Sequence, residues 1–419
     1  MMPNEQRTVF VYDDFSFSDP VMLGILYVNA IRGSEVYSFE YDKDWLAKTG
    51  FSLNLDPELQ LVAGRQYAST KCIFGLFSDA SPDRWGRQLI NKRERVYAAK
   101  EARKPRKLYD SDYLLGVYDE TRMGGLRFKT DPDGPFLSDD KAASAPPWTT
   151  LRTLEHASRE LENDDAGIEE KWLNQLIRPG SSLGGARPKA TVSDEKGNLW
   201  IAKFPSRHDG IDIGAWEKVA HHLAGLCGLN VPESRLDKFS EPGSTFLVKR
   251  FDRNQSKRIH FASAMTLLGK TDGASAANGS GYLDIAAFIK SYGAQPKQDL
   301  IELWKRIVFS MAISNTDDHL RNHAFICTKD GWKLSPVYDI NPVPYGDELS
   351  LNINETDNSI DLSLAIEVAP RFGIALSEAG GIASDMIHTI GACWAGLASG
   401  YGINRAQIEA MRPAFSICE

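Results

Sequence analysis

Apolar and polar side chains alternate along residues 36–41, the two-residue period of a half-buried strand. Two earlier apolar runs, residues 9–12 and 24–27, are bounded by turn residues and are predicted strands of the same N-terminal unit. The period then lengthens. Ser81-Pro82-Asp83 stands ahead of Arg84-Trp85-Gly86-Arg87, and a proline in the first helical position, capped by Ser81 or Asp79, predicts a helix from Pro82. Residues 131–149 mix prolines, Asp and Ala without a period and read as a linker or surface loop. A helical pattern covers residues 151–177, broken near Asn163-Asp164-Asp165, and a Gly- and Ser-rich loop follows to residue 189. Strand signals return at 190–192 and 199–204, around the turn Asp194-Glu195-Lys196-Gly197-Asn198. A helix is predicted over 215–228 with Gly228 as its stop signal, then a strand over 246–251. Beyond about residue 282 the spacing is mostly helical, with one strongly apolar helix over 301–313.

This order predicts an α+β chain of four segments. They are an N-terminal α/β subdomain (1–130), a linker or surface loop (131–150), a β-rich lobe (151–255) and a mostly helical C-terminal lobe (256–419). A small β lobe followed by a helical one is the order of a bilobal protein-kinase-like fold. At 419 residues the chain is too long for one ordinary core, and 42% hydrophobic with 25% charged residues is a globular composition. No apolar run reaches the roughly 18 residues of a membrane span. The N-terminus lacks the apolar core of a signal peptide. Cys72, Cys227, Cys327, Cys393 and Cys418 are scattered and form no CxxC pair, which predicts reduced thiols and a cytoplasmic protein. A net charge of −8 argues against nucleic-acid binding by the whole surface. The basic run from Arg87 to Lys107 is a local exception, read as a solvated helix face and loop.

The densest chemistry lies in Asn315-Thr316-Asp317-Asp318-His319-Leu320-Arg321-Asn322-His323, directly behind the apolar helix. An Asp followed five positions later by an Asn is the spacing of a phosphotransfer catalytic loop. In such a loop the Asp accepts a hydroxyl proton and the Asn oxygen holds magnesium. Asp317 has Asn322 at that spacing; Asp318 has no such partner. Asp339, after Val337-Tyr338 at what reads as a strand end, is the candidate second metal ligand, and magnesium takes oxygen ligands of this kind. His319 and His323, four apart, allow a competing zinc reading, weakened by the lack of a Glu at the second position and of a third ligand.

Lys203 lies in the apolar stretch Trp200-Ile201-Ala202-Lys203-Phe204, where a cation needs an anion such as a nucleotide phosphate, and Glu217 on the next helix could hold it between turnovers. Ahead of it, Gly180-Ser181-Ser182-Leu183-Gly184-Gly185-Ala186-Arg187-Pro188-Lys189 offers backbone N–H groups, an Arg and a Lys to phosphate, without Walker A spacing. Lys249, Arg250 and Phe251 fall where the backbone would face an adenine ring. No nucleophile elbow or dinucleotide fingerprint appears, so hydrolase and dehydrogenase readings have no support.

Taken together, these residues resemble the HipA-like serine/threonine kinases, the toxin half of bacterial toxin–antitoxin pairs. Three N-terminal motifs carry the likeness: Phe39-Glu40-Tyr41-Asp42-Lys43-Asp44-Trp45-Leu46, Ser81-Pro82-Asp83-Arg84-Trp85-Gly86-Arg87 and Met123-Gly124-Gly125-Leu126-Arg127-Phe128. Toward the C-terminus, Ser182 to Lys189, Ile201 to Phe204, Asn315 to Asn322 and Tyr338-Asp339-Ile340 follow in the family's order. The resemblance implies ATP and Mg2+ as cofactors and Asp317 as base. Asn322 and Asp339 would hold the metal. Lys203 and the loop residues Ser182, Leu183, Gly184, Gly185, Ala186, Arg187 and Lys189 would sit on phosphate, Lys249 to Phe251 at the hinge, and His319 at the nucleotide. It further implies autophosphorylation of Ser182 or its neighbour Ser181. The implied partners are a helix-turn-helix, HipB-like antitoxin that carries most of the operator DNA contact, and a protein substrate of the aminoacyl-tRNA synthetase kind. Two other classes compete: a kinase-shaped co-repressor working through a DNA-binding antitoxin, and a small-molecule kinase.

Overall fold

The computed structural model describes residues 6–419 apart from 49, 51–52, 70–71, 138–144, 163–172, 174–175, 177–184 and 242. The fold is α+β, and the chain divides into two compact units. The first comprises Met1–Arg207 with Lys249–Ala262, the second His208–Val248 with Ser263–Glu419. The units are therefore not simple consecutive stretches: Lys249–Ala262 rejoins the first unit from within second-unit sequence.

The first unit is built on an antiparallel sheet of β1 (Gln6–Asp13), β2 (Val21–Ile31), β3 (Ser34–Tyr41), β4 (Arg65–Tyr67) and β5 (Leu126–Lys129), in the order β4-β3-β2-β1-β5. The predicted strands at 9–12, 24–27 and 36–41 all lie within β1 to β3. Their alternation is realised. Val9, Val11, Leu26, Val28, Tyr37 and Phe39 are buried on one face, and Val9, Leu26 and Phe39 share a rung. Asp13 ends β1 inside this core, where its carboxylate accepts from the Trp45 indole at 2.9 Å.

Helix Arg84–Lys100 packs through Trp85, Leu89, Ile90, Glu94 and Ala98, an amphipathic spacing. Its cap differs from the expectation. Asp83, not Ser81 or Asp79, is the N-cap, and its side chain accepts from the Gly86 amide at 2.8 Å. At the N-cap position the Asp83 side-chain oxygen reaches the N–H of the third helical residue, an otherwise unpaired donor. The Ser81 hydroxyl instead donates to the Phe77 carbonyl.

Strands β6 (Lys189–Ser193) and β7 (Leu199–Lys203) form the expected hairpin, with Asp194 accepting from the Lys196 and Asn198 amides in the turn. Helix Leu151–Leu161 precedes them, matching the first part of the predicted helical pattern; its remainder lies largely outside the described residues.

In the second unit, helix Ile213–Leu226 is capped by Asp212, and Gly228 beyond its end adopts φ +72°, in keeping with its reading as a stop. Strands β8 (Ser234–Asp237) and β9 (Thr245–Lys249) pair antiparallel. The strand predicted to run to residue 251 stops at Lys249. Helices Tyr282–Tyr292, Pro296–Ala312 and Leu376–Gly400 make most of the remaining core. The helix expected over 301–313 starts at Pro296, a proline in its first turn. Trp304 is fully buried on it and donates to the Ala365 carbonyl at 2.7 Å. Hairpin Ala324–Thr328 with Gly331–Leu334 follows the catalytic-loop sequence. Among the described residues no helix is long and apolar enough to cross a membrane.

Candidate active site

The second unit carries Asp317, His319 and Asn322 on one loop and Asp339 on a segment whose neighbours Tyr338 and Asn341 are hydrogen-bonded to that loop. Helix Pro296–Ala312 ends at a reversal in which Ser314 takes φ +47° and the Asn315 amide donates back to the Ser310 carbonyl at 2.8 Å. The loop is then pinned from several sides. Ala264 and Met265 amides donate to the His323 and Leu320 carbonyls, the Ser350 hydroxyl to the Thr316 carbonyl, and the Tyr338 hydroxyl to the Arg321 carbonyl. Residues 337–340 are irregular rather than a strand end, and Asp339 sits in the left-handed region at φ +59°. That conformation is uncommon outside glycine, though Asp tolerates it better than most residues. The Asn315 side chain ties the two pieces together, since its oxygen accepts from the Asn341 amide at 3.3 Å.

The two adjacent acids are separated by burial. Asp317 is exposed, while Asp318 is buried. Asp318 accepts from the Tyr282 hydroxyl at 2.6 Å and the Ser310 hydroxyl at 3.2 Å, and His323 Nε2 lies 3.0 Å away. Burial alone would raise its pKa. The nearby His323 imidazole, with the Tyr282 bond, outweighs burial and holds the carboxyl below its ordinary value. An exposed carboxylate can take a proton from an incoming hydroxyl; a buried, saturated one organises the loop. His323 is thereby committed to Asp318, and among the described residues no group of three His, Cys, Asp or Glu could hold a metal. The two-histidine zinc reading loses its ligand.

Asn322 is the candidate metal ligand on this loop. Its Nδ2 donates to the Asp317 carbonyl at 2.9 Å, and its Oδ1 is buried with no hydrogen-bond partner. A buried acceptor without a donor is destabilising by about 1–3 kcal/mol. A hard cation removes that penalty, and magnesium takes amide and carboxylate oxygens. Asn322 with Asp339 therefore fits the predicted ion.

Of the remaining predicted residues, the described ones other than Glu217 belong to the first unit. Lys203 is buried at the end of β7, opposite Lys189 in the hairpin register. Ser181, Ser182, Leu183 and Gly184 lie outside the described residues. Gly185, with φ +87°, Ala186, Arg187 and Lys189 are described. Lys189 Nζ meets Asp83 Oδ2 at 3.0 Å in a buried ion pair, and the Trp85 indole donates to the Lys189 carbonyl at 3.0 Å. The Ser81-to-Arg87 motif thus clasps the end of the Gly-rich loop, a contact that no sequence period announces.

In the segment expected to face adenine, the Lys249 ammonium stands 6.0 Å from the Trp200 ring centroid. The Arg250 amide donates to the Leu199 carbonyl at 2.9 Å. Its guanidinium is buried against Asp252 at 2.7 Å and donates to the Thr121 and Arg122 carbonyls. Asp252 also accepts from Arg253 and from the Gly124 amide. Arg250 is therefore an anchor of the segment through its side chain, a role the sequence reading missed. Phe251 packs near Phe261, with ring centroids 6.1 Å apart. Glu217 is buried on helix Ile213–Leu226 of the second unit.

The loop behind helix Pro296–Ala312 thus presents an exposed acid, Asp317, beside an amide whose buried oxygen has no donor, Asn322. Comparison with known proteins identifies the family. The model of the HipA-like C-terminal domain matches residues 181–394, just over half the chain. This chain belongs to the HipA-like family. It is 30% identical over 188 residues to a "Putative kinase" of Haemophilus influenzae, covering 39% of this chain and 54% of that protein. It is 27% identical over 278 residues to "Putative kinase Y4dM" of Sinorhizobium fredii, covering 55% and 66%. The chain thus spans between half and two-thirds of the length of these curated relatives. HipA of Shewanella oneidensis MR-1, solved with HipB and its operator DNA, superposes with a TM-score of 0.67 over 98% of this chain and 96% of its own, at 17% identity. The fold is the α+β, kinase-like fold of HipA, as expected.

Proposed function

We propose that the protein is an ATP- and Mg2+-dependent serine/threonine protein kinase of toxin–antitoxin type. The observation that carries this reading is the Asn322 amide, whose nitrogen is fixed to the Asp317 carbonyl while its buried oxygen is left without a donor. In the reaction, the acceptor hydroxyl oxygen bonds to the γ-phosphorus, the bond to the β–γ bridging oxygen breaks, and ADP leaves. Asp317 receives the hydroxyl proton. Asn322 and Asp339 hold the metal, which when bound neutralises charge on the phosphate oxygens. Lys203 and residues 182–189 contact phosphate, residues 249–251 contact adenine, and His319 lies at the nucleotide side of the loop. Ser182 or Ser181 is the autophosphorylation site.

Family membership and the curated relatives' names support kinase chemistry. The complex in which HipA was solved with HipB and operator DNA supports a HipB-like antitoxin partner; a helix-turn-helix fold for it, and most of the DNA contact, are part of the proposal. The substrate class we propose is a translation protein such as an aminoacyl-tRNA synthetase. Labelled ATP should put phosphate on Ser182 or Ser181 of the wild type, and Asp317→Ala should lose at least about a hundredfold in rate, the lower range for a positioned general base. Wild-type labelling by Asp317→Ala would refute the assignment.

A further inference from the structure

Six residues after Asp339, Tyr345 combines two features that nothing in the proposed chemistry uses. Its side chain is 82% exposed, more than any other large hydrophobic residue among those described. Its backbone is left-handed, at φ +64°. An aromatic residue in that region is strained by about 1–3 kcal/mol and persists only where its surroundings enforce it. Here they do. A Cβ on the next residue, Gly346, would collide with the Thr316 methyl group, so the backbone is pressed onto the residue beside Asp317. The Ser350 hydroxyl bonds the Thr316 carbonyl at 2.6 Å, and the Leu349 and Ile353 amides donate to the Asn358 and Asp357 carbonyls. The segment is therefore anchored at both ends and seated on the catalytic loop. A glycine at 345 would remove the strain and the exposed ring together, yet the chain keeps a tyrosine.

We propose that Tyr345 is a substrate-contacting specificity residue, which docks the polypeptide segment flanking the acceptor serine or threonine beside Asp317. This rests on the kinase reading above. The ring is a rigid, amphipathic anchor of the kind that dominates peptide recognition. Asp347 and Glu348, two and three residues on, are both exposed. Their charge matches a segment carrying Lys or Arg near the hydroxyl, and repels an acidic one. The occupant is thus an extended basic stretch of a protein substrate.

The test uses the full chain, labelled Mg-ATP and a positional-scanning library of Ser- and Thr-centred peptides. Wild type should favour Lys or Arg close to the acceptor. Tyr345→Gly should raise KM for the best peptide by about tenfold, as for loss of an aromatic anchor. The KM for ATP and kcat should stay within about twofold, because a peptide contact made equally in ground and transition states changes KM alone. Tyr345→Phe should behave as wild type. The melting midpoint of Tyr345→Gly should be equal or higher, since glycine accepts positive φ without strain. An unchanged peptide profile in Tyr345→Gly overturns the inference, as does a parallel rise in the KM for ATP. A wild type that Mg-ATP stabilises but that labels no peptide overturns it too, leaving nucleotide binding intact. A wild type that Mg-ATP does not stabilise refutes the kinase reading itself.

Discussion

Asp317 and Asp318 are neighbours in the chain and opposites in chemistry. The five-residue spacing to Asn322 distinguishes them in the sequence, and burial distinguishes them in space. Asp318 yields a prediction in stability. Its folded pKa lies below the ordinary value, so its charge stabilises the fold fully above the unfolded value of about 3.9. That contribution is lost as pH falls through the lower, folded value. Thermal midpoints of the wild type should therefore drop on acidification below about pH 4, and Asp318→Asn should flatten this part of the profile. At neutral pH, Asp318→Ala leaves the Tyr282, Ser310 and His323 groups facing a vacated site. Chemical denaturation should record a loss of about 3–5 kcal/mol, the range for breaking a buried pair. A loss below about 1 kcal/mol would remove Asp318 from its scaffolding role.

Elements whose signals are local were readable in the chain. Apolar runs bounded by turns marked β1 and β2, alternation marked β3, a turn with Asp and Gly marked the β6–β7 hairpin, and the Asn315-to-His323 loop stood out by residue type and spacing. What the sequence could not reveal are partners far apart in the chain. Ser81 and Asp79 carry the same kind of cap signal as Asp83, and nothing local links Asp83 to Lys189, 106 positions on. The Arg250–Asp252 anchor was hidden for the same reason, since its other contacts are to Thr121, Arg122 and Gly124. The Asp83 clasp can be divided by two variants. Asp83→Asn keeps an N-cap acceptor but discards the charge facing Lys189. Asp83→Ala discards both, and should unfold at lower denaturant by a further increment of about 1 kcal/mol, the usual worth of a cap. Equal midpoints for the two would show that the cap does not matter here.

For the whole molecule, ligand linkage is the most direct measurement. A nucleotide that binds only the folded chain stabilises it by about 2.7 kcal/mol at a hundred times its Kd. Mg-ATP should raise the melting midpoint, and chelation of the magnesium should withdraw most of that gain. An equal rise with and without magnesium would argue against Asn322 and Asp339 as ligands.

The return of Lys249–Ala262 to the first unit has a consequence for how the protein can be cut and recombined. The backbone crosses between units at 207/208, 248/249 and 262/263. No single scissile position separates them. A fragment of residues 208–419 would carry Arg250, Asp252 and Arg253 without the Thr121, Arg122 and Gly124 backbone groups that satisfy them. Such a fragment should express poorly or aggregate, and addition of a 1–207 fragment should not restore full stability, because the strap needed by one half is covalently held by the other. A chimera with a relative would have to transplant two stretches of sequence at once. This chain's two units are in this sense stitched rather than strung.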